Sequence, residues 1–381
     1  MVRVMTKKYQ TGRPYITKKA EQYVLQALKS GVLSIGPFID RFEKAFAKAV
    51  GSKYACAVSS GTAGLHMALI AASIGPGDEV ITSPFSFIAS ANAILYVGAT
   101  PVFVDIDPKT YNIDVSKIEK AITTRTKAIL PVHIFGQPAQ MDEVVRIAGK
   151  HNLAIIEDAC ESLRAEYRGV QAGTFGVAGV FAFYANKQMT TGEGGMVVTN
   201  SKRMDELFRS LRNQGRAPNM QWLDHERLGY NYRMDEMSAA LGLAQVEQLD
   251  FLVEKRKELA AWYTQELASL EAVETPHTGP NSTHTWFVYV VRIKNKRVVR
   301  DKVIEDLVKA GVYTKPYLPS IHLFSFYKEK FGYAEGDFPV SERVSGSTLA
   351  LPFYIGLTRS DVKHIVALLA KTLKKHERIQ K

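Results

Sequence analysis

The stretch FAFYANKQMTTGEGGMVVTN, residues 181–200, climbs through apolar and aromatic residues to Lys187, breaks into Thr-Thr-Gly-Glu-Gly-Gly, and resumes an apolar run at Met196. Two short strands joined by a glycine-bearing segment fit this pattern, with one ammonium group at the junction. A lysine in such surroundings is either a snorkelling surface residue or an amine placed to lose its proton. The preceding sequence decides between them.

From residue 53 onward, short apolar runs alternate with amphipathic segments. KYACAVSS (53–60) has strand character, and TAGLHMALIAASI (62–74) helical character up to Gly75-Pro76-Gly77. EVITSPF (79–85), SFIASANAILYVG (86–98) and TPVFVDID (100–107) repeat the alternation. A helix opened by a Ser116 to Glu119 capping box is expected next. TKAILPVHIFG (126–136), MDEVVRIAGKHN (141–152) and LAIIEDAC (153–160) lead back to the opening stretch. Strand and helix alternating at these lengths predict an α/β fold: a large domain whose mostly parallel sheet is flanked by helices. Residues 234–270 have few breakers and predict one long helix that links two domains. THTWFVYVVRI (283–293), RDKVIEDLVKAGV (300–312) and TRSDVKHIVALLAKTLKKH (358–376) predict a smaller C-terminal α/β domain, its last helix started by Thr358 with Asp361 three residues on. The division expected is 1–250 and 251–381, with the N-terminal segment packing on the small domain. No internal repeat is visible.

Composition supports a soluble globular chain of 381 residues, 46% hydrophobic and 23% charged. No apolar run approaches the ~18 residues of a membrane span, and MVRVMTKKYQTGRPY lacks the apolar core of a secretion signal. Cys56 and Cys160 are the only cysteines, which fits a cytoplasmic location. The net charge of +11, from 49 basic and 38 acidic residues, favours an anionic partner. Part of it sits in KTLKKHERIQK (371–381) and the rest is scattered, as on a solvated surface. A phosphorylated small molecule suits this better than nucleic acid or a membrane.

In a parallel sheet, ligands bind beyond the carboxyl ends of the strands. The first strand ends in SSGTAG (59–64), where small residues at a helix start favour an anion, although any tight turn would look similar. LAIIEDAC ends in Glu157 and Asp158, which point to opposite faces, so only one can enter a given site. Asp158 is a cap, a salt-bridged carboxylate, or an acid facing a cation. An anion cradle, a carboxylate and a lysine at strand ends match the needs of pyridoxal 5′-phosphate. Its phosphate needs amide donors, its aldehyde an amine, and its ring nitrogen a carboxylate that keeps it protonated. The lysine is then a nucleophile and later a base.

Several long motifs strengthen this. They are LSIGPFIDRFEKAFA (33–47), SSGTAGLHMAL (59–69), SPFSFIASANAILYVGATPVFVDID (83–107), EDACES (157–162), the opening stretch, LGYNYRMDEMSAALGLAQ (228–245) and GDFPVSERVSGSTLALPFY (336–354). With them the chain resembles, over nearly its whole length, the DegT/StrS-type sugar-nucleotide aminotransferases of fold type I. The resemblance implies that Lys187 forms the imine with the cofactor and that Asp158 pairs with its ring nitrogen. Phe87 would stack on the ring, unless it is simply a core phenylalanine. Gly61, Thr62 and Ala63 would hold the phosphate, Glu161 would lie near the 3′-oxygen, and Asn231 would reach the phosphate of a neighbouring subunit, making the catalytic unit a homodimer. Two positions depart from the family. Ala182 replaces a serine that supports the phosphate, and Arg164 replaces a glycine, so the arginine is expected to alter the pocket or bind a substrate anion.

The implied reaction is a ping-pong transamination from glutamate, through pyridoxamine 5′-phosphate, to a nucleotide-linked keto sugar. A 4-keto-6-deoxy sugar is expected, as in perosamine-type members, with amination at C-3 the alternative. His322 is a candidate substrate contact or a surface histidine. A sugar dehydratase on the same scaffold would carry histidine in place of Lys187. A regulatory homologue without activity would be marked by changes such as Ala182 and Arg164, against which the Asp158–Lys187 pairing argues.

Overall fold

The computed structural model describes residues 7–217 and 224–379, so the opening MVRVMT and the final Gln380-Lys381 of the basic tail lie outside it. β-Branched and small apolar residues build β1 (Tyr54–Val58), β2 (Glu79–Thr82), β3 (Thr100–Phe103), β4 (Thr126–Ile129) and β5 (Ala154–Asp158). After a short hairpin, β6 (Glu166–Tyr167) and β7 (Val170–Gln171), come β8 (Ala178–Ala182) and β9 (Gly195–Thr199). The large sheet has seven strands in the order β1-β9-β8-β5-β4-β2-β3. β9 runs antiparallel to both neighbours, and the other pairings are parallel. The carboxyl ends of β1, β2, β4, β5 and β8 therefore share one edge. Among the described residues, no helix is long and apolar enough to cross a membrane.

Helices α1 (Lys18–Ser30), α2 (Pro37–Val50), α3 (Gly61–Ala71), α4 (Ala89–Tyr96), α5 (Val115–Ala121), α6 (Met141–His151) and α7 (Lys202–Arg212) accompany these strands. Phe42 and Phe46 of α2 meet Phe181 and Phe183 edge-on or tilted, with ring centroids 5.1–5.5 Å apart. The cap of α5 differs from the expected capping box. Asp114 caps the helix by accepting from the Ser116 N–H at 3.1 Å, while Glu119 turns to Lys150 and His151 on α6. An aspartate in extended backbone is as good a cap as a serine, and here it stands earlier in the chain.

The long helix expected over 234–270 is two helices, α8 (Glu236–Val246) and α9 (Leu249–Leu267). The first half of α9 shares the core of α8 through Leu249, Leu252 and Val253, and its second half enters the C-terminal core through Leu259, Tyr263 and Leu267. α8 is buried nearly all round against α1 and α2, whereas α9 packs on the C-terminal helix. At the break, the Gln248 amide donates to Ala244 O and Thr17 Oγ1. Glu236 also caps α2 from a distance, accepting from the N–H groups of Gly36, Phe38 and Ile39 at 2.8–3.0 Å. A carboxylate at a helix N-terminus is favoured by the helix dipole.

The C-terminal part holds an antiparallel sheet of three strands, β10 (Val273–Glu274), β11 (Tyr289–Ile293) and β12 (Thr348–Leu351). Around it lie α9, α10 (Arg300–Lys309), α12 (Pro339–Ser347) and α13 (Arg359–Ile379), while α11 (Ser325–Phe331) packs through Tyr327 on Ala91 and Phe103 of the large part. The capping pair of α13 forms as the sequence suggests, with Asp361 Oδ2 accepting from Thr358 N and Oγ1 at 2.9 Å. The start of the described chain belongs to this core. Tyr9 N donates to Gly311 O, Tyr313 N donates to Tyr9 O, and the Tyr9 hydroxyl and Lys7 ammonium both donate to Asp361 Oδ1.

Candidate active site

At the end of β1 the chain turns through Ser59-Ser60 into α3. Ser60 is the N-cap, its hydroxyl accepting from the Ala63 N–H at 3.1 Å. The first turn is pressed against the sheet. A Cβ on Gly61 would fall 2.7 Å from Ala182 Cβ, and one on Gly195 would fall 2.6 Å from the Ser60 carbonyl carbon. Both positions require glycine because backbone meets backbone or a neighbouring strand there.

β5 ends in two carboxylates with different fates. Glu157 is fully buried and accepts from His133 Nε2 at 3.0 Å and from the N–H groups of Gly173, Phe175 and Gly176 at 2.7–2.8 Å. It is a structural anchor. Asp158 turns to the other face, where Oδ2 accepts from Ser90 Oγ at 2.6 Å and Oδ1 from Cys160 N at 3.2 Å. The opposition of adjacent side chains on a strand thus selects Asp158 for the site.

Between β8 and β9, the connecting segment lifts Lys187 to the same edge. Its side chain is 13% exposed, and Nζ lies 3.4 Å from Glu161 Oε1 and 4.0 Å from the centroid of the Phe287 ring. Glu161 is held by the Phe135 N–H, which donates to Oε2 at 2.9 Å. Burial pushes the Glu161 carboxyl above its ordinary pKa, with Lys187 pulling against it. An amine and a carboxyl in contact, both shielded from water, can exchange a proton with a substrate atom placed between them.

One cavity of about 490 Å³ is lined by Gly61, Thr62, Phe87, Asp158, Glu161 and Lys187 together. Phe87 is 63% exposed into this space, so it is not a core phenylalanine. Ala182 lies on the same wall, beside Gly61. Sequence reasoning missed Ser90, Asn186, Phe287 and Tyr317, which also line it. Ser90 follows Phe87 in the same quoted motif but stands in the first turn of α4, beyond the strand end. Phe287 and Tyr317 come from the distant C-terminal part, and no local signal marks them.

Ala63, Arg164 and His322 lie outside this cavity, as does Asn231, which was expected to serve a neighbouring subunit's site. The Ala63 N–H is taken by Ser60. Asn231 is exposed and pairs with Asn213, which lines a different cavity together with Arg209, Arg212, Arg216 and Arg233. Arg164 points away from the site, and the expectation of a pocket or anion contact is corrected. Its guanidinium donates to Ala49 O and Asp250 Oδ1. Its φ of 62° shows why a glycine suits this position: the backbone is left-handed. His322 is neither a substrate contact nor a surface histidine. It is fully buried, with Nε2 3.0 Å from Glu342 and the ring against Phe338. Among the described residues no cluster of side chains could hold a metal ion.

An anion-favouring helix start, a carboxylate and a shielded lysine around one cavity form a distinctive set, and comparison with known proteins places it. Residues 14–370 match the profile of the DegT/DnrJ/EryC1/StrS aminotransferase family. The chain belongs to this family. It is 42% identical over 363 residues to the GDP-perosamine synthase of Caulobacter vibrioides, covering 94% of this chain and 97% of that one. Helicobacter pylori PseC, an aminotransferase involved in the biosynthesis of pseudoaminic acid, superposes with a TM-score of 0.92 at 30% identity, covering 97% of this chain and 100% of that one. A Streptococcus pneumoniae protein assigned as a sugar aminotransferase and solved in its PLP form gives a TM-score of 0.92 at 25% identity, covering 97% and 99%. The fold is that of these aminotransferases, and the chain is an aminotransferase by family.

Proposed function

We propose that the protein transfers the amino group of glutamate to a keto sugar carried on a nucleoside diphosphate, using pyridoxal 5′-phosphate held in the cavity around Lys187. The observation that carries this reading is the convergence of the α3 N-terminus, Asp158 and Lys187 on one space.

The residues present fit the cofactor. The first turn of α3, with Gly61, Thr62 and the Thr62 hydroxyl, suits a phosphate through its N–H groups and dipole. Asp158, oriented by Ser90, offers a carboxylate to a protonated ring nitrogen. Phe87 presents an exposed ring for stacking. When bound, pyridoxal 5′-phosphate supplies the electron sink for an amino acid's α-carbanion and carries the amino group as pyridoxamine 5′-phosphate. Lys187 would be the amine that holds the aldehyde carbon, and its free amine would be placed to take and return a proton at the donor's α-carbon. Glu161, beside it, holds its own proton more readily than an exposed glutamate and lies where it contacts the lysine amine.

The relatives support one choice of acceptor. The Caulobacter protein is named for GDP-perosamine, and a 4-keto-6-deoxy sugar on a nucleoside diphosphate is the acceptor proposed here. Two copies of the chain form the working unit, with Asn231 of each reaching the other's site. The arginine-lined cavity beside Asn213 would then face the acceptor's diphosphate. The purified protein, incubated with glutamate and a panel of nucleotide-linked keto sugars, is expected to release 2-oxoglutarate and an amino sugar with a 4-keto-6-deoxy member. Absence of conversion across the panel, with glutamate present and cofactor loaded, contradicts the reading.

A further inference from the structure

Arg256, on α9, is 4% exposed, yet it meets no carboxylate among the described residues that offsets its burial. Its donors go to three backbone carbonyls on two separate segments. Nη2 donates to Lys187 O at 3.2 Å, and Nη1 donates to Trp286 O and Phe287 O at 3.3 Å each. Nε is buried with no hydrogen-bond partner. A buried cation held by carbonyls, with the Phe353 ring 5.7 Å from its guanidinium carbon and no carboxylate, is a costly choice where an apolar side chain of similar volume would pack. Burial alone lowers its pKa to about 10.

The carbonyls show what this arrangement achieves. One belongs to the residue whose amine reacts. Another belongs to Phe287, whose ring face lies 4.0 Å from that amine. The two segments come from opposite parts of the molecule: the β8–β9 connection of the large sheet and the approach to β11 in the small one. A single planar guanidinium with several donors can span both, whereas a lysine offers one compact charge and an apolar residue offers none.

We propose that Arg256 is a positioning residue for Lys187: it clamps the peptide that carries the lysine to the peptide that carries Phe287, so that amine and ring stay in register. The inference rests on the proposed role of Lys187. It predicts that loosening the clamp disturbs the amine before it disturbs the fold.

The test uses the full-length protein with Arg256→Met, which keeps volume without donors, and Arg256→Lys, which keeps one charged donor. Tyr263→Phe is the control: it lies on the same helix and loses the bond to Pro352 O (2.7 Å) in the small core, away from Lys187. Amide hydrogen exchange is read over residues 184–190 and 285–288 without added cofactor. The turnover number, the KM for glutamate and the pH titration of the cofactor's absorption band are read after loading. Arg256→Met is expected to speed exchange in both segments together, shift the titration midpoint and cut kcat roughly 10- to 100-fold, with the KM changed little. Arg256→Lys should fall between, and it carries the test alone if the Met variant does not fold. Tyr263→Phe should lower the melting temperature without these effects. Effects confined to melting temperature, or reproduced by Tyr263→Phe, overturn the clamp. A parallel Lys187→Ala protein separates the two failures. Lost turnover there with an unaffected Arg256→Met overturns the clamp alone, whereas retained turnover overturns the role of Lys187 and the clamp with it.

Discussion

Ser90 Oγ donates to Asp158 Oδ2 at 2.6 Å, and Ser86 Oγ lies 2.8 Å from Ser90 Oγ, so a short hydroxyl chain fixes the carboxylate at the end of β5. The orientation of Asp158 thus depends on the turn that also presents Phe87. Ser90→Ala removes one hydrogen bond to a charged group, and the expected loss in kcat is roughly 5- to 30-fold, with the cofactor still retained. Steady-state kinetics check this. An unchanged rate would mean that Asp158 holds its orientation without the serine.

Ala182 lies against the first turn of α3, where a Cβ added at Gly61 would almost touch it. A hydroxyl there would stand beside the proposed phosphate position. Ala182→Ser is expected to slow loss of pyridoxal 5′-phosphate on dialysis by about fivefold, as one added hydrogen bond of ~1 kcal/mol predicts. Faster loss would show that the added oxygen crowds Gly61 rather than serving the phosphate.

Arg164 bonds outward to Ala49 O and Asp250 and takes a left-handed backbone. Arg164→Gly should leave kcat and the KM for both substrates unchanged. Stability should stay within ~1 kcal/mol, because relief of the backbone offsets the lost surface pair. A raised KM for the sugar nucleotide would restore the anion-binding role that its geometry denies.

Asp361 reports on how the N-terminal segment is tied to the small core. Burial pushes its pKa up, but Lys7, the Thr358 N–H and hydroxyl, and the Tyr9 hydroxyl together hold it at about 2. A carboxyl with a depressed folded pKa stabilises the fold above its unfolded value of about 3.9, and that contribution is lost as the pH falls toward 2. Asp361→Asn should therefore melt below the parent protein near neutral pH, and the gap should close as the pH drops from about 4 to about 2. A gap independent of pH would show that the charge of Asp361 is not what matters.

Much of this was legible in the sequence, for local reasons. Lys187, Asp158 and Gly61 stand at the ends of apolar runs, and a parallel sheet gathers such ends along one edge. The capping pair of Thr358 and Asp361 is spelled out in a few residues. What stayed hidden depends on long-range packing. Nothing around Gln248 announces a break between α8 and α9, or that α9 runs from the core it shares with α8 into the C-terminal one. His322 stands between Ile321 and Leu323, with no local sign that Glu342 and Phe338 enclose it. Arg256 sits in a charged helical run, EKRKE, and only the fold shows that this arginine alone turns inward to the carbonyl of Lys187.

That one cofactor spans the space between Lys187 and Asp158 is tested most directly by loading the protein with pyridoxal 5′-phosphate, reducing it with borohydride, and locating the modified peptide by mass spectrometry. A single phosphopyridoxyl group on Lys187 is the expected result, with Asp158→Asn weakening the visible band before reduction. A label on another lysine, in protein that still turns over, would contradict it.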